Sequence, residues 1–178
     1  MSKNSTQTKQ KLIEAAARVV KLKGASQLTL DAVAQEAQVS KGGLLYHFPN
    51  KSALLKTMVM YLNDRFEQSI RERVEEGATW LEAYVEMSFD PKHSQIEESA
   101  GMLTAIANDL SLLDPLAQAY EELQQQLEAS KDPDLATIIR LAADGLWFGE
   151  LFGISALTTE RKAKVIAALL NLIKQNHD

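Results

Sequence analysis

A chain of 178 residues can form one modest domain or two small ones sharing a core, and its 46% hydrophobic content suffices to bury one. It has no cysteine, which excludes disulfides and thiolate metal sites, and no opening apolar segment resembles a signal peptide or spanning helix, so a cytoplasmic protein without a membrane partner is expected. The formal net charge of −5 is unevenly spread: residues 1–60 carry nine lysines and arginines against three acids, a net +6, which leaves ten against twenty-one, a net −11, for the rest.

Such a basic head on an acidic body would draw a polyanion to one end and repel it from the other, although a charge run can equally be a solvated face. The hydrophobic periodicity is helical throughout and no alternating run is long enough for a sheet, so the expected fold class is all-α with about nine helices. Met1 to Ser5 reads as a loose polar arm.

The first helix is expected over 6–23, with Ile13, Ala16, Ala17 and Val20 on one face and Gly24 closing it. A second begins at Thr29, whose hydroxyl can cap free amides, and buries Leu30, Val33, Ala34 and Ala37. Gln38 and Val39 make a turn, Ser40 caps a third helix over 41–47, and Phe48-Pro49 ends it. Asn50 then caps a long fourth helix whose inner face holds Leu54, Met58, Tyr61 and Leu62. Two short amphipathic helices and a tight turn, followed by a Lys, a Tyr and a His, have the form of a DNA-reading helix-turn-helix.

Five more helices are expected beyond it, over 79–89, 94–110, 115–130, 133–156 and 159–176. Capping boxes at Thr79/Glu82 and Ser94/Glu97 open the first two, and Asp114-Pro115 and Asp132-Pro133 pair a capping carboxylate with a proline. Thr158 or Thr159 opens the last.

When the third helix enters a major groove, its first turn faces base edges and its amides favour phosphate, which places Lys41 there. Gly42 and Gly43 each cost about 1 kcal/mol in helix propensity, a penalty explained either by close approach of the backbone to DNA or by tight packing on the second helix. Leu44 and Leu45 read as core. Tyr46 and His47 can donate to phosphate oxygens, contacts that position a protein without specifying sequence.

Thr29, the Ala-Val-Ala run of the second helix and Val39-Ser-Lys-Gly-Gly-Leu-Leu-Tyr-His-Phe-Pro-Asn-Lys-Ser-Ala-Leu-Leu55 resemble the DNA-binding domain of the TetR/AcrR family of transcriptional regulators. The resemblance covers roughly residues 6–66, with the motif at 29–48; the remainder, 67–178, is similar in length and helical layout to the family's ligand-binding and dimerisation domain. It implies that Thr29 contacts phosphate, that Ser40, Lys41, Gly42 and Gly43 face bases, and that Tyr46, His47 and Lys51 clamp the backbone. Many members carry an aromatic residue where this chain has Leu45, so a phosphate contact made there is not expected. Gln35, the N-terminal arm or DNA shape could supply further readout.

The resemblance also implies a homodimer. Gly145, Gly149 and Gly153 recur every fourth residue of the helix expected over 133–156 and form a strip along which another helix can approach, from a partner or from the same subunit. Ala163, Ile166, Ala167 and Leu170 extend that candidate interface, and two copies would place their reading helices about 34–36 Å apart, or a multiple of it, on a pseudo-palindromic operator. For a small-molecule effector, Trp80, Tyr84, Met87 and Phe89 with Met102, Leu103 and Ile106, joined by Tyr120, Trp147 and Phe152, could line an apolar pocket or simply be core. His93 or Asp109 could lend it polarity.

The three histidines, His47, His93 and His177, lie far apart, and there is no phosphate-cradling glycine loop or nucleophile elbow, so no catalytic residue, metal or cofactor is expected. The expected function is a ligand-responsive regulator, a repressor that binds a double-stranded DNA operator as a homodimer and is released by a small, largely apolar effector. The alternative is a helical protein-interaction adaptor without sequence-specific DNA binding.

Overall fold

The computed structural model describes residues 3–24, 27–91, 99, 102, 106–107 and 109–176. Among them are eight α-helices and no strand: α1 Lys3–Lys23, α2 Leu30–Glu36, α3 Lys41–His47, α4 Lys51–Glu75, α5 Trp80–Phe89, α6 Asp114–Glu128, α7 Pro133–Leu151 and α8 Thr159–Gln175, with a 3-10 turn at Leu110–Leu113. The helix expected over 94–110, its Ser94/Glu97 box, His93, Leu103 and His177 lie mostly or wholly outside the described residues.

The described residues group into two compact units. One holds those up to 63 together with those between 97 and 117; the other holds 64–96 and 118–178. Chain order alone would not separate them so, but Met102 and Leu112 are buried in the first core and Ile106 and Leu116 pack against it.

In the first unit α1 buries Leu12, Ile13, Ala15, Ala16, Val19 and Val20. Lys3 to Ser5 of the expected arm are part of this helix, and Gly24 closes it at φ +81° with its amide on the Val20 carbonyl at 2.9 Å. The helix-turn-helix follows from its caps: Thr29 Oγ1 accepts from the Ala32 amide at 3.0 Å, and Ser40 Oγ from the Gly43 amide at 3.1 Å. Between them Gln38 takes the left-handed conformation at φ +55°, which lets the Val39 amide reach the Ala34 carbonyl at 3.0 Å. Arg18 pairs with Glu36 at 2.9 Å and ties α1 to α2. Leu44 and Phe48 are fully buried and fasten α3 to this core, whereas Leu45, expected inside, is 39% exposed. Asn50 Oδ1 accepts from the Ala53 amide at 2.8 Å and starts α4, which buries Leu54, Leu55, Met58 and Val59.

The second unit is centred on Ile70, Ala83, Tyr84, Val85, Ile139 and Leu169. Thr79 and Glu82 form the capping box of α5, Asp132 Oδ1 caps α7 through the Leu135 amide at 3.0 Å with Pro133 as its first residue, and Thr158 caps α8. Asp114 is the first residue of α6 rather than its cap. The helix expected over 133–156 stops at Leu151: Gly153 has φ +66°, and the amides of Ile154 and Ser155 both turn back onto the Gly149 carbonyl at 2.9 Å.

Candidate nucleic-acid interface and regulatory body

The solvent side of the helix-turn-helix gathers most of the residues expected to meet DNA. Thr29, Ser40, Lys41, Gly42, Tyr46 and Lys51 are exposed, Tyr46 at 79%, while Gly43 and His47 are half-buried. The Thr29 and Ser40 oxygens act as acceptors for their helix caps, which leaves each hydroxyl a proton to donate outward. The Tyr46 ring meets the His47 ring edge to face at 5.1 Å, so each orients the other's polar tip. A Cβ added at Gly42 would meet nothing within 4 Å, and one at Gly43 only Ser40 Oγ at 3.3 Å. Packing against α2 therefore does not account for either glycine.

One residue of this face was not legible beforehand. Lys41 Nζ lies 2.9 Å from Asp31 Oδ1, with both side chains more than 60% exposed. The carboxylate comes from α2, ten residues earlier, and no helical spacing links the two. It holds the ammonium in place but competes with any phosphate that approaches.

The residues expected to line an effector pocket divide into separate places. Met102 is buried in the first unit's core and Ile106 packs against it, whereas their expected α5 companions belong to the second unit. Phe152 is 53% exposed and stacks on Phe148 at 6.1 Å, on the surface rather than in a cavity. Trp147 is half-buried and meets the Phe148 ring edge to face at 5.3 Å.

Trp80 and Tyr84 face a polar cluster. Trp80 stacks on Tyr84 at 5.2 Å, the Tyr84 hydroxyl donates to Asp144 Oδ1, and Arg140 Nη1 donates to Asp144 Oδ2 at 2.8 Å. The Arg140 guanidinium also lies 5.7 Å from the centre of the Tyr120 ring. Burial pushes both phenols up and raises the Asp144 carboxyl above its ordinary range, against the opposing pull of the Tyr84 hydrogen bond and Arg140. Arg140 Nε is buried there without a hydrogen-bond partner, as is the Oε1 of Gln124, whose amide nitrogen donates to Thr137 Oγ1 at 3.0 Å.

The raised Asp144 gives a pH signature. The native state takes up this proton at higher pH than the unfolded chain does, so the group's contribution to stability is greatest below the ordinary aspartate value and is lost as pH rises through the native one. In urea melts between pH 7 and 4, wild type should therefore gain on Asp144→Asn as pH falls. A relative loss would mean that Arg140, not burial, governs the carboxyl.

Met87 and Phe89 instead line an open groove of about 790 Å³, together with Ala163, Ile166, Ala167 and Leu170. The latter four, expected at a dimer interface, line this groove from α8, Ala163 and Ala167 being exposed. Arg73 crosses the groove's rim to Glu86 at 2.6 Å and Glu76 at 3.5 Å.

On α7 a different stripe faces solvent: Ile138 at 60%, Leu141 at 55%, Gly145, and Phe148 at 42%, continued by Phe152. Their spacing alternates three and four, the period of a helix-pairing seam. Of the expected glycine strip only Gly145 lies on it. A Cβ on Gly149 would be 3.5 Å from the Ser155 side chain of the same subunit, and Gly153 has left the helix.

A helix-turn-helix with an exposed basic face, followed by a helical body, defines the class of DNA-binding transcriptional regulators. The chain belongs to the TetR family: residues 12–58 match the family described as bacterial regulatory proteins, tetR family, and residues 78–174 match the tetracyclin repressor-like C-terminal domain. It is 24% identical over 187 aligned residues to the HTH-type transcriptional regulator UidR of Escherichia coli strain K12, covering 97% of this chain and 94% of that one. Among solved structures, a TetR-family regulator from Rhodococcus sp. superposes with a TM-score of 0.69 at 23% identity, covering 97% of this chain and 100% of the other. The multidrug binding protein EbrR, complexed with imidazole, gives 0.66 at 25% identity over 90% and 93%. Among the described residues no helix is long and apolar enough to cross a membrane, and no group of three or more acidic or imidazole side chains could hold a metal ion.

Proposed function

We propose that this chain is a cytoplasmic, ligand-responsive repressor that binds a pseudo-palindromic operator as a homodimer and releases it when a small effector enters the body. The observation that carries the reading is the orientation of α3: Leu44 and Phe48 anchor it while Lys41, Gly42 and Tyr46 stand outward. Laid in a major groove, such a helix brings the Lys41 ammonium and the glycine backbone to base edges, and Thr29, Tyr46, His47 and Lys51 to the flanking phosphates. Residues 6–66 then form the DNA-binding domain and 67–178 the ligand-binding and dimerisation domain.

The α7 stripe supports the dimer, because four large apolar side chains in one seam are covered by a second copy at a two-fold axis. The effector reading draws on the groove in the body and on EbrR, a relative solved with imidazole. The mechanism is a two-state equilibrium: one body conformation sets the two heads at groove spacing, and a ligand that prefers another pulls them out of register.

Selection from a randomised duplex pool tests this reading. The expected product is a two-fold sequence with half-site centres about 34–36 Å apart, or a multiple, bound with a steep negative salt slope. Placed at a promoter, that sequence should lower reporter expression when the chain is present. Failure to enrich any sequence, or binding insensitive to salt, overturns the proposal.

A further inference from the structure

We propose that the groove bounded by the last turns of α4 and α5 and the middle of α8 is a site for an amphipathic organic cation. Its regulatory arm rests on the effector reading above; its binding arm does not. The floor is apolar and uneven: Met87, Phe89, Ile166 and Leu170 supply contact area, and Ala163 and Ala167 leave room between them. About 790 Å³ falls within the usual range for small-molecule sites, but the groove is open to water on one side. A wholly apolar guest would leave its outer surface wet, so the geometry favours a molecule with one apolar and one charged end.

The sign of that charge follows from the rim. Among the described residues, the acids Glu72, Glu76, Glu86 and Asp90 line it against Arg73, with Lys162 beside it over the Phe89 ring. An anionic guest meets net repulsion there; a cationic one is attracted. The chain's own cations already use both kinds of contact such a guest would make. Arg73 Nε lies 2.6 Å from Glu86 Oε2, and Lys162 Nζ sits 5.6 Å from the centre of the Phe89 ring.

A bound cation competes with Arg73 for Glu86, and that ion pair is a tie between α4 and α5. Because α4 is one helix that begins at Lys51, two residues after Pro49 closes the reading motif, loosening its far end gives the ligand a mechanical route to the clamp. Bulk and charge together select the guest, not either alone.

Tetraphenylphosphonium and tetraphenylborate, nearly equal in size and opposite in charge, separate the two contributions. In titration calorimetry on the full chain the phosphonium should bind and the borate should be at least about tenfold weaker. Glu72→Gln with Glu76→Gln, both at the rim, should weaken the phosphonium about fivefold to tenfold without changing the melting temperature. Ala167→Trp, which fills the floor, should abolish binding of both ions. Equal binding of the two ions, no binding of the phosphonium, or binding undiminished in Ala167→Trp overturns the site. Anisotropy with the selected operator reads the regulatory arm separately: phosphonium that binds the groove yet leaves DNA bound overturns the coupling while the site stands. Release of DNA by another compound, with no phosphonium bound, overturns the site while the effector reading stands.

Discussion

A chain carrying Leu141→Glu and Phe148→Glu should sediment as a monomer and bind its operator about a hundredfold or more weakly than wild type. Both side chains lie on the α7 seam, with 55% and 42% of their surface exposed in the single subunit. Covering a Leu or Phe contributes about 1.5–3 kcal/mol, and each substitution acts twice across a two-fold axis, where it also brings carboxylates together in an apolar setting. Losing the dimer removes the second head, whose effective concentration would otherwise multiply the affinity of the first. The melting temperature of the isolated fold should change little, since neither residue belongs to the subunit's core. Persistence of dimers in sedimentation velocity would place the interface elsewhere. Gly149→Leu would be a poorer probe: beyond a Cβ already 3.5 Å from Ser155, the larger side chain disturbs the turn that ends α7. Gly145→Leu is cleaner, because an added Cβ there meets nothing within 4 Å in the subunit and helix propensity favours the change, so a loss of dimer would come from a partner.

The triple variant Lys41→Ala, Tyr46→Phe and Lys51→Ala should lose about a thousandfold in operator affinity at moderate salt, again with the fold intact. Two lysines per subunit are four per dimer, and each neutralised phosphate contributes about 0.9 to the slope of log affinity against log salt, so the slope should flatten by about three to four. The three side chains are exposed, and the Lys41–Asp31 pair is worth at most about 1 kcal/mol to the fold at such exposure. Asp31→Asn should act in the opposite direction, because it removes the carboxylate that competes with phosphate for the Lys41 ammonium. An unchanged salt slope in the triple variant would mean that α3 does not meet the DNA backbone. A large fall in melting temperature would mean that the face is structural.

The head was readable in unusual detail because its signals are local. Thr29, Ser40 and Asn50 cap the helices they precede, Gln38 and Val39 make the turn, and the helix boundaries of α2 and α3 follow within a residue. Each depends on contacts three or four residues away. Leu45 failed because two adjacent leucines on a helix point about 100° apart, and a helix of two turns buries only one of them.

The body was harder. The glycine strip looked periodic, but periodicity presumes that the helix continues, and Gly153 ends it two residues past Leu151. Ala163, Ile166, Ala167 and Leu170 were recognisably one face of α8, yet nothing in their spacing says whether a second subunit or α4 and α5 lie opposite. The Arg140–Asp144 pair has the i, i+4 spacing of a surface bridge, and only the packing of Tyr84 and Tyr120 over it turns it into a buried one.

The sequence by itself determined the all-α class, the reading motif with its caps, and the charge contrast between head and body, since these are written in 3.6-residue periodicity, cap chemistry and composition. Tertiary structure decided which apolar faces stay exposed, that Met102, Ile106, Leu112 and Leu116 pack with the head, that Asp31 reaches Lys41, and that the body carries an acid-rimmed groove. Those outcomes depend on contacts between segments far apart in the chain, where each side chain's surroundings are set by what folds against it and not by its neighbours in sequence.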